Sequence, residues 1–237
     1  MPSSETLART VSRGSADASR MTTREVMRAL FPQRVIDGAN QAAAGRDVAL
    51  GPRLFASLSR PEDECRLFLE RLRWPDRVRC PRCEAGRGIS RIERRGQFEC
   101  GACAYQFSVR VGTIFHASHL PLWKWFLAVY VIGESREGIS ANQLKRTLGI
   151  SYKTAWYLTH RIRAAMRDDA ALPLRGLTVA DEVARVRMGH KAKHLTAFRD
   201  EETFRAKNRG NPYLFRDMLM RLVDVESLPY TQLTASA

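Results

Sequence analysis

Apolar residues recur at helical spacing in several stretches of the chain, and turn-forming residues separate these stretches. The clearest stretch carries Leu122, Trp125, Phe126, Val129 and Tyr130. This spacing predicts an amphipathic helix that begins after the preceding proline. A shorter stretch with the same pattern begins near Thr23, and another precedes the first pair of cysteines. The chain is therefore predicted to be rich in helices.

Two further helices are predicted directly after this one, joined by a glycine turn. Ser140 is placed to cap the first helix and Ser151 the second, and Gly149 supplies the sharp backbone between them. The second helix is expected over residues 152–167, with an apolar face formed by Ala155, Leu158, Ile162 and Met166. Its other face is polar and basic. Such a pair is either part of an ordinary three-helix core or a DNA-binding helix-turn-helix.

Short alternating segments surround the cysteines and predict a small sheet. Residues 89–92, 97–99 and 105–109 are expected to be strands. A helix that begins at Pro61 precedes them, because a proline and three acids suit a helix start. Cys65 lies on the apolar face of that helix and is expected to be buried. The predicted fold class is α+β: a small four-cysteine ribbon, a helix-turn-helix three-helix unit and a mostly helical C-terminal part.

The first 60 residues are predicted to be an N-terminal arm and linker. Residues 1–20 contain no aromatic side chain and are rich in Ser, Ala and Arg, which is typical of disorder. Residues 42–51 are small and polar and are interpreted as a linker. The remaining boundaries follow from the motifs: 61–112 for the helix and ribbon, 113–170 for the helix-turn-helix region, and 171–237 for the C-terminal part.

Four of the five cysteines form two Cys-x-x-Cys hooks, and sixteen residues separate the hooks. The hooks are Cys80-Pro-Arg-Cys83 and Cys100-Gly-Ala-Cys103. Four thiolates from two tight turns make a closed tetrahedral site, which predicts a structural Zn²⁺ ion rather than a catalytic one. The alternatives are two disulfides or a redox pair. Disulfides need an oxidising compartment, and nothing in the sequence suggests export.

The charge balance favours a polyanionic partner. The 237 residues include 39 Lys and Arg against 25 Asp and Glu, a formal net charge of +14. Each phosphate that a cation neutralises releases counterions, so double-stranded DNA is the expected partner. No run of 18 apolar residues is present, so membrane insertion is not expected. We expect a cytoplasmic, nucleoid-associated protein.

Two groups of residues are the predicted DNA contacts. Arg91, Arg94 and Arg95 lie on the hairpin between the hooks, in a stretch (71–110) with ten arginines and four acids. The second group lies on the outer face of the second helix and comprises Ser151, Tyr152, Lys153, Thr154, Tyr157 and Arg161, with His160 and Arg163 on the same face. Polar residues at the start of a recognition helix reach base edges, and cations further on reach phosphates.

The order of motifs from about residue 60 to 170 resembles the N-terminal region of the zinc-ribbon DDE transposases of bacterial insertion sequences. The matching segments are Leu72-Arg-Trp-Pro, the two hooks, Gln106-Phe-Ser, Gly112-Thr-Ile-Phe-His116, Leu120-Pro-Leu-Trp123, Gly138-Ile-Ser-Ala141, Gln143-Leu, Leu148-Gly-Ile-Ser-Tyr-Lys-Thr-Ala-Trp156 and His160-Arg-Ile-Arg163. The resemblance implies that this region binds the terminal repeats of an insertion element. In the family, an RNase H-like domain follows, in which acidic residues hold two divalent metals for DNA transposition and recombination.

The resemblance breaks after residue 182. Leu174-Arg-Gly-Leu177 and Asp181-Glu182 fit the opening of the catalytic domain, so Asp181 corresponds to the first catalytic carboxylate. The segment from His190 onward resembles the far C-terminal end of the family, which suggests an internal deletion. Two-metal chemistry needs several converging carboxylates, so Asp181 is interpreted as vestigial. Mg²⁺ would be a cofactor only if the chain were catalytic. The C-terminal helices are expected to be a loosely packed appendage.

The sequence thus predicts a transposase-like DNA-binding protein, truncated in its catalytic domain, which recognises insertion-sequence ends. Two alternatives remain. The first is an active transposase that cleaves and transfers strands, with carboxylates supplied by a partner. The second is a zinc-ribbon transcriptional regulator, for which a dimer on two half-sites would be typical. A homodimer or a complex with an intact relative is compatible with each hypothesis.

Overall fold

The computed structural model describes residues 20–50, 61–135, 138–167 and 195–225, and these ranges contain eight helices and a three-stranded antiparallel sheet. The helices are α1 Thr23–Leu30, α2 Gln33–Ala43, α3 Pro61–Arg73, α4 Leu122–Glu134, α5 Ala141–Leu148, α6 Tyr152–Met166, α7 Leu195–Lys207 and α8 Leu214–Asp224. The strands are β1 Ile89–Ile92, β2 Gln97–Cys100 and β3 Gln106–Phe107. The predicted α+β class is confirmed. No helix in these ranges is long and apolar enough to cross a membrane.

Helix α4 lies at the centre of the helical part because it is apolar on all sides. Ten of its 13 residues are buried, and a helix of this kind must be covered around its whole circumference. Helices α2, α3, α5, α6 and α8 all contact it. Phe126 packs edge-on against Phe68 of α3 and Phe215 of α8. The core is therefore built from segments that are far apart in the chain.

The turn between α5 and α6 has the capping chemistry that the sequence predicts. The Ser140 hydroxyl accepts a hydrogen bond from Gln143 N at 3.1 Å, and the Ser151 hydroxyl accepts one from Thr154 N at 3.1 Å. Gly149 ends α5 in the left-handed conformation at φ 58°, which favours glycine because it has no Cβ. Ser140 thus marks the start of α5. Gly149 and Ser151 fix the point at which α5 ends and α6 begins.

The N-terminal region contributes more to the core than the sequence predicts. Val26, Met27 and Leu30 of α1 are buried, as the helical pattern near Thr23 suggests. Residues 42–51, however, are not a free linker as far as they are described: Ala42 and Leu50 are 1% and 2% exposed. The Leu50 amide also donates to Thr147 O at 2.7 Å. Small side chains can pack closely beneath neighbouring helices. They give little apolar signal in the sequence, so their burial was not predicted. Residues 1–19 lie outside the described part.

Helix α8 is an integral part of the same core, and the expectation of a loosely packed C-terminal appendage is wrong for it. Phe215 is 1% exposed and contacts Phe126 and Tyr130. The Phe215 amide donates to the Thr23 hydroxyl at 3.1 Å, and the Ile114 amide donates to Leu222 O at 3.2 Å. The expectation failed because it assumed a missing sheet partner, whereas α8 packs on helices α1, α3, α4 and α6.

Candidate metal centre and nucleic-acid interface

The two hooks fold as a matched pair of turns. In the first, Glu84 N donates to Cys80 O at 2.9 Å, and in the second, Ala104 N donates to Cys100 O at 2.7 Å. The residue after each hook has a positive φ, 59° at Glu84 and 53° at Ala104. Strand β2 leads directly into the second hook at Cys100. Each turn contributes two thiols, and all four are directed toward the same point.

The four hook cysteines form one cluster with the dimensions of a zinc site. All four Sγ atoms lie within 4.8 Å of one another. The Sγ atoms of Cys83 and Cys100 are 3.6 Å apart, and those of Cys80 and Cys103 are 3.7 Å apart. Zn–S bonds of about 2.3 Å in a tetrahedron place sulfurs about 3.8 Å apart. These separations exceed an S–S bond of about 2.05 Å, so the geometry fits a shared cation rather than disulfides.

The electrostatics of the cluster also favour a cation. Burial acts to raise the pKa of Cys80, but backbone N–H groups of Cys83 and Arg82 and the neighbouring thiols lower it to about 7. At Cys83, the Ala85 N–H acts to lower the pKa, but the surrounding sulfurs and burial raise it to about 12. Four sulfurs this close resist carrying four negative charges together. A bound Zn²⁺ removes that repulsion and stabilises the thiolates.

The apolar core of the ribbon is small, which explains its need for a metal. Its buried residues are Cys80, Phe98, Cys100 and Phe107. Trp74 covers Phe98 and Phe107 edge-on, at centroid distances of 5.4 and 6.0 Å. Two of the four buried side chains are themselves ligands, so packing alone leaves little to hold the three strands. Below about 40 residues, domains usually require disulfides or metals.

Among the predicted DNA contacts on α6, those in its N-terminal turn are the most exposed. Tyr152 is 49% exposed, and Ser151 and Lys153 are exposed. Thr154 and Tyr157 are half-buried. Ser151 acts structurally as the α6 cap, and its hydroxyl also lies 2.8 Å from the Thr154 hydroxyl. Tyr152 and Lys153 are thus presented on a capped helix start, where backbone N–H groups and the helix dipole also favour anions.

The structure does not place Arg161 on the outer face of α6, which corrects that prediction. Arg161 is 1% exposed and lies over the rings of Trp125 and Tyr157 at 5.5 and 5.0 Å. Its guanidinium also donates to His116 O at 3.4 Å. Burial lowers the pKa of Arg161 from its ordinary value. The residue supports the position of Tyr157 from inside and does not reach the surface.

Arg163 is likewise internal, and His160 is only 8% exposed. Arg163 Nε donates to Glu201 Oε2 at 2.5 Å, and Arg205 Nη1 lies 3.0 Å from Glu201 Oε1. Glu201 is fully buried. This buried cluster joins α6 to α7, and removal of either side would leave uncompensated charge. The 3.6-residue period predicts an outer face for Arg161 and Arg163. It cannot show that α4 and the segment before it cover Arg161, or that α7 covers Arg163.

The three hairpin arginines also separate into two roles. Arg91 donates to Glu70 Oε2 at 2.5 Å and lies 4.7 Å over the Phe98 ring. It therefore joins the ribbon to α3. Arg94 and Arg95 are exposed in the short 3₁₀ turn at the hairpin tip. Neither forms an ion pair with another residue in the described part of the chain. Arg91 is also exposed, so what separates it from these two is its ion pair with Glu70.

The predicted catalytic carboxylate, Asp181, lies outside the described residues. Within them, the four cysteines are the only cluster of His, Cys, Asp or Glu side chains that could hold a metal ion. Several C-terminal acids are instead engaged in ion pairs. Glu201 pairs with Arg163, and Asp217 with Arg216. A cleft of about 1410 Å³ between α1, α2, the end of α4 and the α7–α8 turn contains none of the predicted site residues.

Sequence reasoning missed the acidic side chains of α3. Glu62 was counted only as a favourable charge at a helix start. In the structure its carboxylate accepts from Leu122 N at 2.6 Å and pairs with Arg110. Glu70 is 6% exposed and pairs with Arg66 and Arg91. For Glu70 the available signal was its position among Arg66, Arg71 and Arg73. For Glu62 there was none, because its partners lie up to 60 residues away in the chain.

Comparison with known protein families finds a match for the ribbon. Residues 60–106 match the family described as the transposase zinc-ribbon domain, of the IS1595 type. The match and the four-sulfur cluster together support a structural Zn²⁺ ion held by the hooks. This segment of the chain is thus similar to the zinc-ribbon domain of transposases.

A relative extends the similarity to mobile elements. A protein of Halobacterium salinarum, described as an uncharacterized protein in transposable element ISH50, is 36% identical over 120 residues. The match covers 48% of this chain and 39% of that relative. No solved structure matches the chain. The two matches support a transposase-related protein.

Proposed function

We propose that this chain is a sequence-preferring DNA-binding protein related to transposases, which recognises insertion-element ends. The observation that carries the proposal is the exposed, capped start of α6, which presents Tyr152 and Lys153 in a chain that also carries a transposase-type ribbon. In a helix-turn-helix, the start of the second helix reaches base edges in the major groove. Duplex DNA of the nucleoid is the implied partner.

The ribbon supplies a second contact in this proposal. Arg94 and Arg95 at the hairpin tip are the residues placed to lie along a phosphate backbone. Arg91 of the preceding strand is bonded to Glu70 and so joins the hairpin to α3. Phosphate contacts of this kind position a protein and give affinity, whereas the base-edge contacts give specificity.

We further propose that the chain lacks a complete catalytic site. Residues 195–225 form two helices whose buried faces complete the helical core. Several of their acids form ion pairs, such as Glu201 with Arg163 and Asp217 with Arg216. A two-metal centre needs converging carboxylates, and Asp181 alone would bind Mg²⁺ only weakly. A protein of this kind would compete with an intact transposase for the same DNA ends.

Selection from a random duplex library tests the DNA-binding proposal. The selected duplex and its scrambled counterpart are then compared by band shift at increasing salt, with the ends of ISH50 as a further probe. We expect tighter binding to the selected duplex and a steep fall in affinity with salt. Equal affinity for selected and scrambled duplexes would remove sequence preference from the proposal.

Single substitutions locate the interface. Lys153→Ala is expected to weaken binding to all duplexes and to reduce the slope of log K against log salt by about 1. Tyr152→Ala is expected to reduce the ratio between selected and scrambled duplexes. Arg209→Ala removes the same charge as Lys153→Ala from an exposed position on the α7–α8 turn, and we expect it to change neither quantity. An equal effect of Arg209→Ala would indicate a response to net charge alone.

A cleavage assay with Mg²⁺ or Mn²⁺ tests the proposed lack of catalysis. We expect no strand cleavage or joining on the selected duplex. Cleavage that is abolished in Asp181→Ala would show an active transposase instead. Sedimentation of the protein with and without DNA distinguishes the regulator alternative, because a dimer on two half-sites about one helical turn apart is expected of that class.

A further inference from the structure

Helix α3 makes polar bonds at its first turn to the segment that begins α4. The Glu62 carboxylate accepts from Leu122 N at 2.6 Å, at the start of α4. It also pairs with Arg110, in the segment that leaves the ribbon. Arg110 in turn donates to Ser118 O at 3.1 Å and to Leu120 O at 3.3 Å. One carboxylate therefore holds the junction between the ribbon and the helical core.

The last turns of α3 make similar bonds to the ribbon itself. Glu70 Oε2 accepts from Arg91 Nη2 of β1 at 2.5 Å, while its Oε1 accepts from Arg66 at 2.9 Å. Arg73 Nη1 donates to Val109 O at 2.6 Å. The Glu70 side chain is 6% exposed and that of Arg91 31%, so the carboxylate that accepts these charge-assisted bonds is largely shielded from water. The ribbon is thereby fixed to the C-terminal end of the helix.

The middle of α3 is packed against the helical core. Leu69 is fully buried, and the Phe68 ring lies 6.2 Å from that of Phe126 in α4, edge to face. The helix has 13 residues, a length of about 20 Å at 1.5 Å per residue. Both the ribbon and the start of α4 are thus attached to one stiff element at fixed positions.

We propose that α3 is a rigid spacer that holds the zinc ribbon and the α4–α6 helices in one orientation, so that their two DNA contacts are read at a fixed separation. Glu62 and Glu70 are the positioning residues of this spacer. The part that concerns DNA rests on the proposed function above. The consequence is a strict spacing requirement, because neither contact can shift to follow a displaced half of the site.

Backbone ¹⁵N relaxation of the zinc-loaded protein without DNA tests the spacer directly. We expect ribbon and helical amides of the parent to share one rotational correlation time. In Glu62→Ala, ribbon amides should show faster reorientation than helical ones. Glu64→Ala is the matched control, because Glu64 occupies the same first turn of α3. Glu62→Gln, which keeps an acceptor for Leu122 N, should lie between the parent and Glu62→Ala.

Glu70 provides a second variant at the other end of the spacer. Glu70→Gln keeps the shape of this buried side chain and removes its charge, so the fold is retained while the bond to Arg91 weakens. Ribbon amides should again reorient faster than helical ones. Different correlation times for ribbon and helices in the parent would overturn the rigid spacer. A common correlation time in Glu62→Ala and in the double variant Glu62→Ala/Glu70→Gln would overturn the positioning role of the two glutamates.

A spacing series on DNA tests the consequence for recognition. Footprinting on the selected duplex locates the segments covered by ribbon and α6, and two base pairs are then inserted between them. Binding by the parent and by Glu64→Ala should fall at least tenfold, and binding by Glu62→Ala less than threefold. If the parent bound the duplex with the insertion as tightly as the original duplex, reading at a fixed separation would be overturned. Absence of sequence preference in the parent would instead reject the proposed function, while relaxation still decides whether α3 is rigid.

Discussion

The ribbon and the helical unit are stabilised by different means, although they share α3 and pack side by side. The ribbon buries four residues, two of which are metal ligands. The helical unit buries a continuous apolar core around α4, to which segments from residue 21 to 225 contribute. Metal binding therefore dominates in the first region and apolar burial in the second. A perturbation aimed at either source of stability should leave the other region largely intact.

Loss of one thiolate should have the largest effect, and only in the ribbon. A structural zinc ion contributes roughly 10–16 kcal/mol of apparent binding energy, far more than the Trp74, Phe98 and Phe107 contacts could replace. Cys100→Ser is therefore expected to lose zinc and the dispersed amide resonances of the ribbon, while the helical resonances persist. Metal analysis and ¹H–¹⁵N spectra measure both.

Cys65→Ala is the control for that substitution. Cys65 is fully buried in α3 but lies outside the cluster, so its loss should cost packing and leave the zinc content at one ion per chain. Retention of zinc and of ribbon resonances by Cys100→Ser would contradict a four-thiolate site.

The second prediction concerns the helical core. Phe215→Ala removes a ring that is 1% exposed and contacts Phe126 and Tyr130. Truncation of a buried Phe costs about 3–5 kcal/mol, and urea unfolding of the zinc-loaded protein should show this loss in the helical transition. Met220→Ala on the same helix removes a side chain that is 42% exposed and should change stability by at most about 0.5 kcal/mol. A loss below about 1 kcal/mol for Phe215→Ala would mean that α8 is an appendage after all.

The same contrast explains how much of the structure the sequence could predict. The ribbon is local: hook spacing and alternating segments suffice to predict its strands and the cysteine cluster. The caps at Ser140 and Ser151 are equally local. The burial of Arg161 depends on Trp125, which comes 36 positions earlier in the chain. Likewise, no local pattern shows that α8 covers α4 or that Glu62 caps it. Periodicity predicts which face of a helix is apolar, but not which partner covers a polar one.

The third prediction separates the arginines of the hairpin. Arg91→Ala deprives the nearly buried Glu70 of one of its two cations, and a buried charged group left short of a partner costs about 1–3 kcal/mol. Arg95→Ala alters an exposed side chain and should change stability by at most about 0.5 kcal/mol. Urea unfolding measures the stability of each variant. In band shifts under conditions where both variants are folded, Arg95→Ala should lose more DNA affinity than Arg91→Ala. A stable Arg91→Ala variant with weakened DNA binding would place Arg91 among the direct contacts.

The smallest expected effect lies in the two hook turns. Ala104 follows the second hook at φ 53°, a left-handed conformation that costs a non-glycine residue roughly 1–2 kcal/mol. Glycine adopts it without that strain but loses more entropy on folding, by roughly 0.5–1 kcal/mol. Ala104→Gly should therefore stabilise the ribbon by up to about 1.5 kcal/mol, or up to about tenfold in apparent zinc affinity. Competition with a chelator measures this change.

Ala102→Gly is the matched control, because Ala102 lies within the same hook and is not among the residues with positive φ. There glycine gains no relief of strain and only adds freedom to the unfolded chain, so zinc affinity should stay equal or fall slightly. Metal binding and folding of such a ribbon are expected to be coupled, so a gain at Ala104 should appear in zinc affinity and leave the helical urea transition unchanged. A shift of that transition as well would show that the ribbon and the helical core unfold as one unit, and the division between metal-held and packing-held regions would then have to be abandoned.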